Sequence, residues 1–179
     1  YSDVEQYHIN ERILHKLSSM VAPEGIFAEV EMPQQINLEG LQRVIALDGV
    51  SDPGNMGTIF RTALAFGWQA VCLFPNCCDP YNDKVLRSAR GAHFRLPIVR
   101  ITIDDLSKVA NKQNWQTLVA DIDGKSPNEV PDAKGRLLVL GNEAHGPSEQ
   151  ILSFCSKVTL PMTGSVESLN VAVAGGILM

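Results

Sequence analysis

The sequence has no apolar run of the roughly 18–20 residues that a bilayer-crossing helix needs, so no segment reads as a membrane span. It has no C-x-x-C pair. Its four cysteines, Cys72, Cys77, Cys78 and Cys155, show no zinc-site spacing, and adjacent Cys77 and Cys78 are poorly placed to chelate one metal together. They read as reduced thiols of an intracellular compartment, cytoplasm or organelle matrix (mitochondrion or plastid), and no metal is expected. There is no excess of basic charge: 15 Lys+Arg against 20 Asp+Glu give a net charge of −5. That balance excludes a general polyanion binder, so any nucleic-acid contact must come from a local basic patch. The three-glycine dinucleotide fingerprint and the Gly-Lys-Ser/Thr of a nucleotide-phosphate loop are both absent. No internal repeat, low-complexity tract or targeting segment is visible. The chain opens on Tyr1 and stops at Met179 inside an apolar helical pattern with no glycine cap, which points to a piece of a longer protein.

What is there is 179 residues, 45% of them hydrophobic, enough for a real core and the size of one domain or one domain plus part of another. Val4, Ile9, Ile13, Leu14, Leu17 and Met20 recur at near-helical spacing, predicting a helix over Glu5–Met20 that ends at the breaker cluster Ala22-Pro23-Glu24-Gly25. Ile26–Met32 alternates like a short strand. From Gln42 the pattern becomes α/β. Strand-like runs fall at Val44–Leu47, Ala70–Phe74, Leu96–Ile101, Leu118–Ala120, Leu137–Leu140 and Val158–Leu160. Helical stretches lie between them, at Thr58–Phe66, Asp83–Ala89, Asp104–Asn111, Ser148–Cys155 and Leu169–Leu178, and Asp123–Lys134 reads as a polar, mobile loop. Short apolar strands separated by helices predict a parallel sheet covered on both faces. In such sheets ligands bind beyond the carboxyl ends of the strands, so the loops there are where chemistry belongs.

Three loops stand out. The first runs from Leu47 to Gly57; its glycines allow close backbone approach, and a helix starting after Asn55 would offer N–H groups to an anion. Arg61, one turn into that helix, could grip a phosphate or carboxylate bidentately. The second is Gly141-Asn142-Glu143-Ala144-His145-Gly146-Pro147, where Glu143 could pair with a guanidinium such as Arg61 or act as a base. His145 reads as a locally bonded loop residue. The third runs from Leu160 to Ala174; a strand ends at Leu160, Ser168 could cap the following helix, and Asn170 is an amide in need of partners. That helix is apolar nearly all round, which predicts burial on several sides or a subunit interface.

Together these segments resemble the SpoU (TrmH-like) branch of the SPOUT RNA methyltransferases. The resemblance rests on Asn55, Gly57 and Arg61; on Gly141, Asn142, Glu143 and Gly146; and on Leu160-Pro161-Met162 with Ser168-Leu169-Asn170-Val171-Ala172, all in family order. It covers Val44 to Met179, and Ser88-Ala89-Arg90-Gly91-Ala92 is also family-like. It implies a parallel-sheet α/β fold with a C-terminal trefoil knot, a topology that no argument from pattern alone would propose. It implies S-adenosylmethionine as cofactor, a homodimer joined through the C-terminal helix region, and methyl transfer to a ribose 2′-oxygen of structured RNA, ribosomal ahead of transfer RNA. Residues 1–35 would then be the tail of an upstream RNA-binding domain and its linker. Residues 36–179 would be the methyltransferase domain, cut short at its C-terminus.

Carried over residue by residue, the resemblance gives Asn55, Arg61, Glu143, Ser168 and Asn170 as the catalytic set, and Gly141, Leu160, Pro161, Met162 and Leu169 as the cofactor wall. An arginine is a poor base, so Arg61 is expected to hold the neighbouring RNA phosphate and stabilise developing alkoxide charge. Glu143 is expected to orient Arg61 or Asn55. Lys84, Arg87 and Arg90 recur every three residues on a predicted helix and form the candidate RNA patch, with Tyr81 and Phe94 nearby as candidate stacking residues. The competing class is a non-catalytic RNA-binding or ribosome-assembly factor that retains the fold.

Overall fold

The computed structural model describes residues 4–18, 20, 23, 25–164 and 168–179. Ala22 and Glu24 of the expected breaker cluster, and Ser165, Val166 and Glu167 of the third loop, lie outside the described residues. The chain divides into two compact units, Tyr1–Met32 and Pro33–Met179.

In the first unit the regular element is α1 (Glu11–Leu17). The Asn10 side chain accepts the N–H of Ile13 at 3.0 Å and so sets the helix start, well inside the Glu5–Met20 span that apolar spacing suggests. Ile26–Met32 is not a strand. Among the described residues no ladder pairs with it, and Ile26 stands 87% exposed.

The second unit is built on six strands: β1 (Arg43–Leu47), β2 (Ala70–Leu73), β3 (Ile98–Arg100), β4 (Gln116–Lys125), β5 (Arg136–Leu140) and β6 (Ser156–Val158). Their spatial order is β3-β2-β1-β5-β4-β6 and every pairing is parallel. β1 is central, with Ile45 opposite Val71 on one side and Leu138 on the other. Alternate residues of β1 feed two cores. Ile45 and Leu47 face α2 (Pro53–Ala65), α3 (Asp83–Ala89) and α6 (Val171–Leu178). Val44 and Ala46 face α4 (Ile103–Lys112) and α5 (Glu149–Leu152). Both faces of the sheet are therefore covered, which is why its strands read as unbroken apolar runs.

The helix boundaries are set by local chemistry. Asp52 caps α2, accepting the N–H of Asn55 at 2.7 Å, and Pro53 occupies the first turn where its missing N–H costs nothing. The helix therefore begins before Asn55, not after it, and Arg61 lies more than two turns in. Gly57 lets α3 lie against α2: a Cβ there would meet Val85 O at 2.7 Å and Ala89 N at 2.8 Å. α6 is capped by Asn170 rather than Ser168, and its Gly176 approaches Thr62 of α2. Its burial is one-sided; Val173 and Ile177 face outward.

Of the stretch expected as a loop, Asp123–Lys134, the first three residues are the end of β4 and Pro127–Glu129 form a 3-10 turn, while residues 130–134 are irregular as expected. The four thiols are unpaired, and burial pushes Cys72 and Cys155 up to about 12. No helix among the described residues is long and apolar enough to cross a membrane.

Candidate active site

A cavity of about 730 Å³ opens beyond the carboxyl ends of β4, β5 and β6. That size and position suit a nucleoside-sized ligand in a parallel α/β sheet. Three loops close on it. The loop after β5 begins at Gly141, which has no room for a side chain: a Cβ would stand 2.7 Å from Gly146 C and 2.8 Å from Pro147 Cα. Asn142 pins this loop, donating to Gly49 O at 2.7 Å and accepting the N–H groups of Ala144 and His145 at 2.9 and 3.0 Å. The ring of His145 also meets Asn142, at 3.1 Å.

Glu143 joins that loop to the start of α2. Its Oε1 accepts from Asn55 Nδ2 at 3.0 Å and from the Asp52 N–H at 3.3 Å. Its Oε2 accepts from the Ser51 N–H and hydroxyl, both at 3.3 Å. Asn55 Oδ1 in turn accepts from Asn170 Nδ2 at 2.8 Å, and Asn170 Oδ1 accepts the N–H groups of Ala172 and Val173 at the start of α6. Burial raises the carboxyl of Glu143, but the Asn55 amide and the N–H groups of Glu143, Ser51 and Asp52 outweigh it and hold the group below the usual carboxylate range. A carboxylate so well satisfied is ionised and weakly basic, suited to positioning rather than to proton abstraction.

Of the expected catalytic set, the fold brings Asn55, Glu143, Ser168 and Asn170 to the cavity. It does not bring Arg61, which is exposed on α2 and outside the lining, its guanidinium making no hydrogen bond or ion pair with a described residue. The partner of Glu143 is accordingly Asn55, not Arg61. Of the expected cofactor wall, Gly141, Leu160, Met162 and Leu169 line the cavity, while Pro161 is an exposed loop residue outside the lining. Leu160 is beyond the end of β6 rather than its last residue. Asp121, Ile122 and Asp123, which no motif of the sequence singles out, form the β4 side of the wall. Their position just past the apolar Leu118–Ala120 run was the available signal.

The basic patch is smaller than the spacing suggests. Lys84 and Arg87 are exposed on α3, but Arg87 is paired with Asp83 at 3.1 Å. Arg90 is the left-handed C-cap of the helix (φ 50°), so it leaves the helical face. Phe94 is exposed, whereas Tyr81 packs against buried His93 with ring centroids 5.7 Å apart.

Residues 42–179 match the SpoU rRNA Methylase family. The chain is 33% identical over 178 residues to the 23S rRNA (guanosine(2553)-2′-O)-methyltransferase RlmP of Bacillus subtilis, covering 98% of this chain and 71% of that protein. It is 32% identical over 182 residues to an uncharacterized tRNA/rRNA methyltransferase of Synechocystis sp., covering 98% of this chain but only 66% of that one. The crystal structure of an AdoMet-bound rRNA methyltransferase from Sinorhizobium meliloti superposes with a TM-score of 0.81 at 27% identity, over 94% of this chain and 67% of that chain.

Proposed function

Because the chain belongs to the SpoU rRNA Methylase family, we propose that it transfers a methyl group from S-adenosylmethionine to a ribose 2′-hydroxyl of structured RNA, ribosomal ahead of transfer RNA. The observation that carries this reading is the meeting of Asn55, Glu143 and Asn170, drawn from three separate loops, at one cavity of nucleoside size. An idle cavity has no need for two amides and a carboxylate linked in this way.

The residues present fit the cofactor. Leu160, Met162 and Leu169 offer an apolar wall, and the Gly141 turn offers close backbone. When bound there, the cofactor supplies a sulfonium-activated methyl and its own leaving group. Asn55 and Ser168 would hold the ribose at the rim, and Asn170 would set the angle of Asn55. Glu143 is a positioning residue that acts through Asn55 and the 51–52 backbone. Arg61 would bind the phosphate beside the target ribose and stabilise alkoxide charge as it develops. Arg61 is outside the cavity of its own chain, and Val173 and Ile177 leave an apolar stripe on α6. Both support an active unit that is a homodimer through the α6 region, with RNA held between protomers. Lys84 and Arg90 would supply the salt-sensitive grip on the backbone. Residues 1–35 would belong to an upstream RNA-binding domain and linker, and the knot would lie in the C-terminal third of the chain.

The test is calorimetry with S-adenosylmethionine followed by a methyl-transfer assay on total RNA, with ribose methylation mapped in cells with and without the protein. Cofactor binding and one lost 2′-O-methyl site are expected. Binding of RNA without cofactor binding or transfer would overturn the enzyme reading in favour of an assembly factor.

A further inference from the structure

The β4 side of the cavity carries a charge arrangement that the adenosyl group does not require. Ala120 and Lys125 of β4 both pair with Val158 of β6, so residues 121–124 leave the ladder as an outpouching over the cavity. The outpouching is fixed rather than loose. Thr159 donates its N–H to Lys125 O at 2.9 Å and its hydroxyl to Ile122 O at 3.0 Å. Gly124 closes it so tightly on β6 that a Cβ would stand 2.7 Å from Val158 N.

Within it, Asp121 Oδ1 accepts the Asp123 N–H at 2.8 Å, and Asp121 Oδ2 meets Lys157 Nζ at 3.3 Å. The Asp121 side chain is only 11% exposed, that of Lys157 37%. Lys157 is the one Lys or Arg among the described residues lining the cavity. Holding a half-buried ion pair at the wall of a binding cavity costs desolvation that a hydrocarbon wall would avoid. An adenosine is uncharged and gives no return on that cost. An α-amino acid does: it carries one ammonium and one carboxylate on a single carbon, and a fixed pair of opposite charges receives both without adding net charge.

We infer that Asp121 and Lys157 form the subsite for the amino-acid end of the methyl donor, Lys157 taking the α-carboxylate and Asp121 the α-ammonium. The inference rests on the cofactor reading above and adds residues that no family motif contributed. It makes the pair a determinant of specificity, separating intact donor and its homocysteine product from nucleosides lacking the amino-acid tail.

The experiment is calorimetry on the wild-type chain and on Lys157→Met, Lys157→Arg and Asp121→Asn. Two probes are used: S-adenosylhomocysteine, which keeps the tail, and 5′-methylthioadenosine, which lacks it. In Lys157→Met and Asp121→Asn the affinity for S-adenosylhomocysteine is expected to fall at least about tenfold, while that for 5′-methylthioadenosine changes less than about twofold. Lys157→Arg is expected to keep most of the preference. Parallel loss for both probes, or no loss for either, overturns the inference and leaves the cofactor reading standing. A wild type that binds neither probe removes the cofactor reading itself, and this inference with it.

Discussion

The side-chain amide of Asn170 donates to the side-chain oxygen of Asn55 across 2.8 Å, joining residues 115 positions apart. The direction of every bond in that line follows from its ends. A carboxylate only accepts, so Glu143 must face Asn55 Nδ2; backbone N–H groups only donate, so Ala172 and Val173 must face Asn170 Oδ1. The two amides between have one consistent orientation. The start of α2, the loop after β5 and the start of α6 are thereby locked in a single hydrogen-bonded line.

Asn55→Asp should be more damaging than its size suggests. It replaces the donor facing Glu143 by a second carboxylate, so the line loses a bond and gains a repulsion. We expect methyl transfer to RNA to fall by about 10²–10³-fold, in the range seen when one preorganised donor is removed. Single-turnover rates with saturating cofactor check this; a variant within a factor of two of wild type would contradict it.

Arg61→Ala should abolish transfer while leaving cofactor affinity within about twofold, since Arg61 does not line the cavity. Mixed dimers sharpen the point. Arg61→Ala chains combined with Asn55→Ala chains should regain part of the lost turnover if each site draws its arginine from the partner subunit. Transfer assays on such mixtures, alongside calorimetry, give the result.

Lys84→Glu with Arg90→Glu should weaken RNA binding and flatten its dependence on salt, because each lost phosphate contact lowers the slope of log affinity against log salt by roughly one. Arg87→Glu should do less, since Asp83 already holds that guanidinium. Filter binding at several salt concentrations distinguishes the two cases.

Acid stability should depend on Glu143. Its folded-state value is depressed, so it stabilises the fold above its ordinary value of 4.5, and that contribution is lost as pH falls through the folded value. Glu143→Gln should therefore be less stable than wild type at neutral pH and should lose less stability on acidification. Thermal melts from neutral pH down to about 3 read this directly.

The sheet was legible because burial on both faces leaves unbroken apolar runs such as Val44–Leu47 and Leu137–Leu140. Ile26–Met32 shows the limit: alternation reports a face, but only a neighbour makes a strand. The start of α2 is written in Asp52-Pro53, a capping residue before a first-turn proline, although Gly54, Asn55 and Gly57 just after it are equally characteristic of a loop. The motif residues Asn55, Glu143 and Asn170 could be chosen from order and spacing. Their bonding could not, because it depends on which side chains three distant loops present to one another. Asp121 and Lys157 were hidden for a related reason. Asp121 sits where the β4 and β6 ladder breaks and Lys157 on β6 just before that point, and a polar stretch after a strand looks the same whether it drifts into solvent or folds back over a cavity.

Gly57 has a consequence for the outer surface. With a hydrogen atom where other residues carry a methyl, two helices are clamped together at a separation that no larger residue would permit. The guanidinium of Arg61 and the cations of the neighbouring helix consequently ride on one stiff plate. On the proposed reading, a polynucleotide that touches both would have to fit a gauge of set span, and selection by contour would precede any reading of bases.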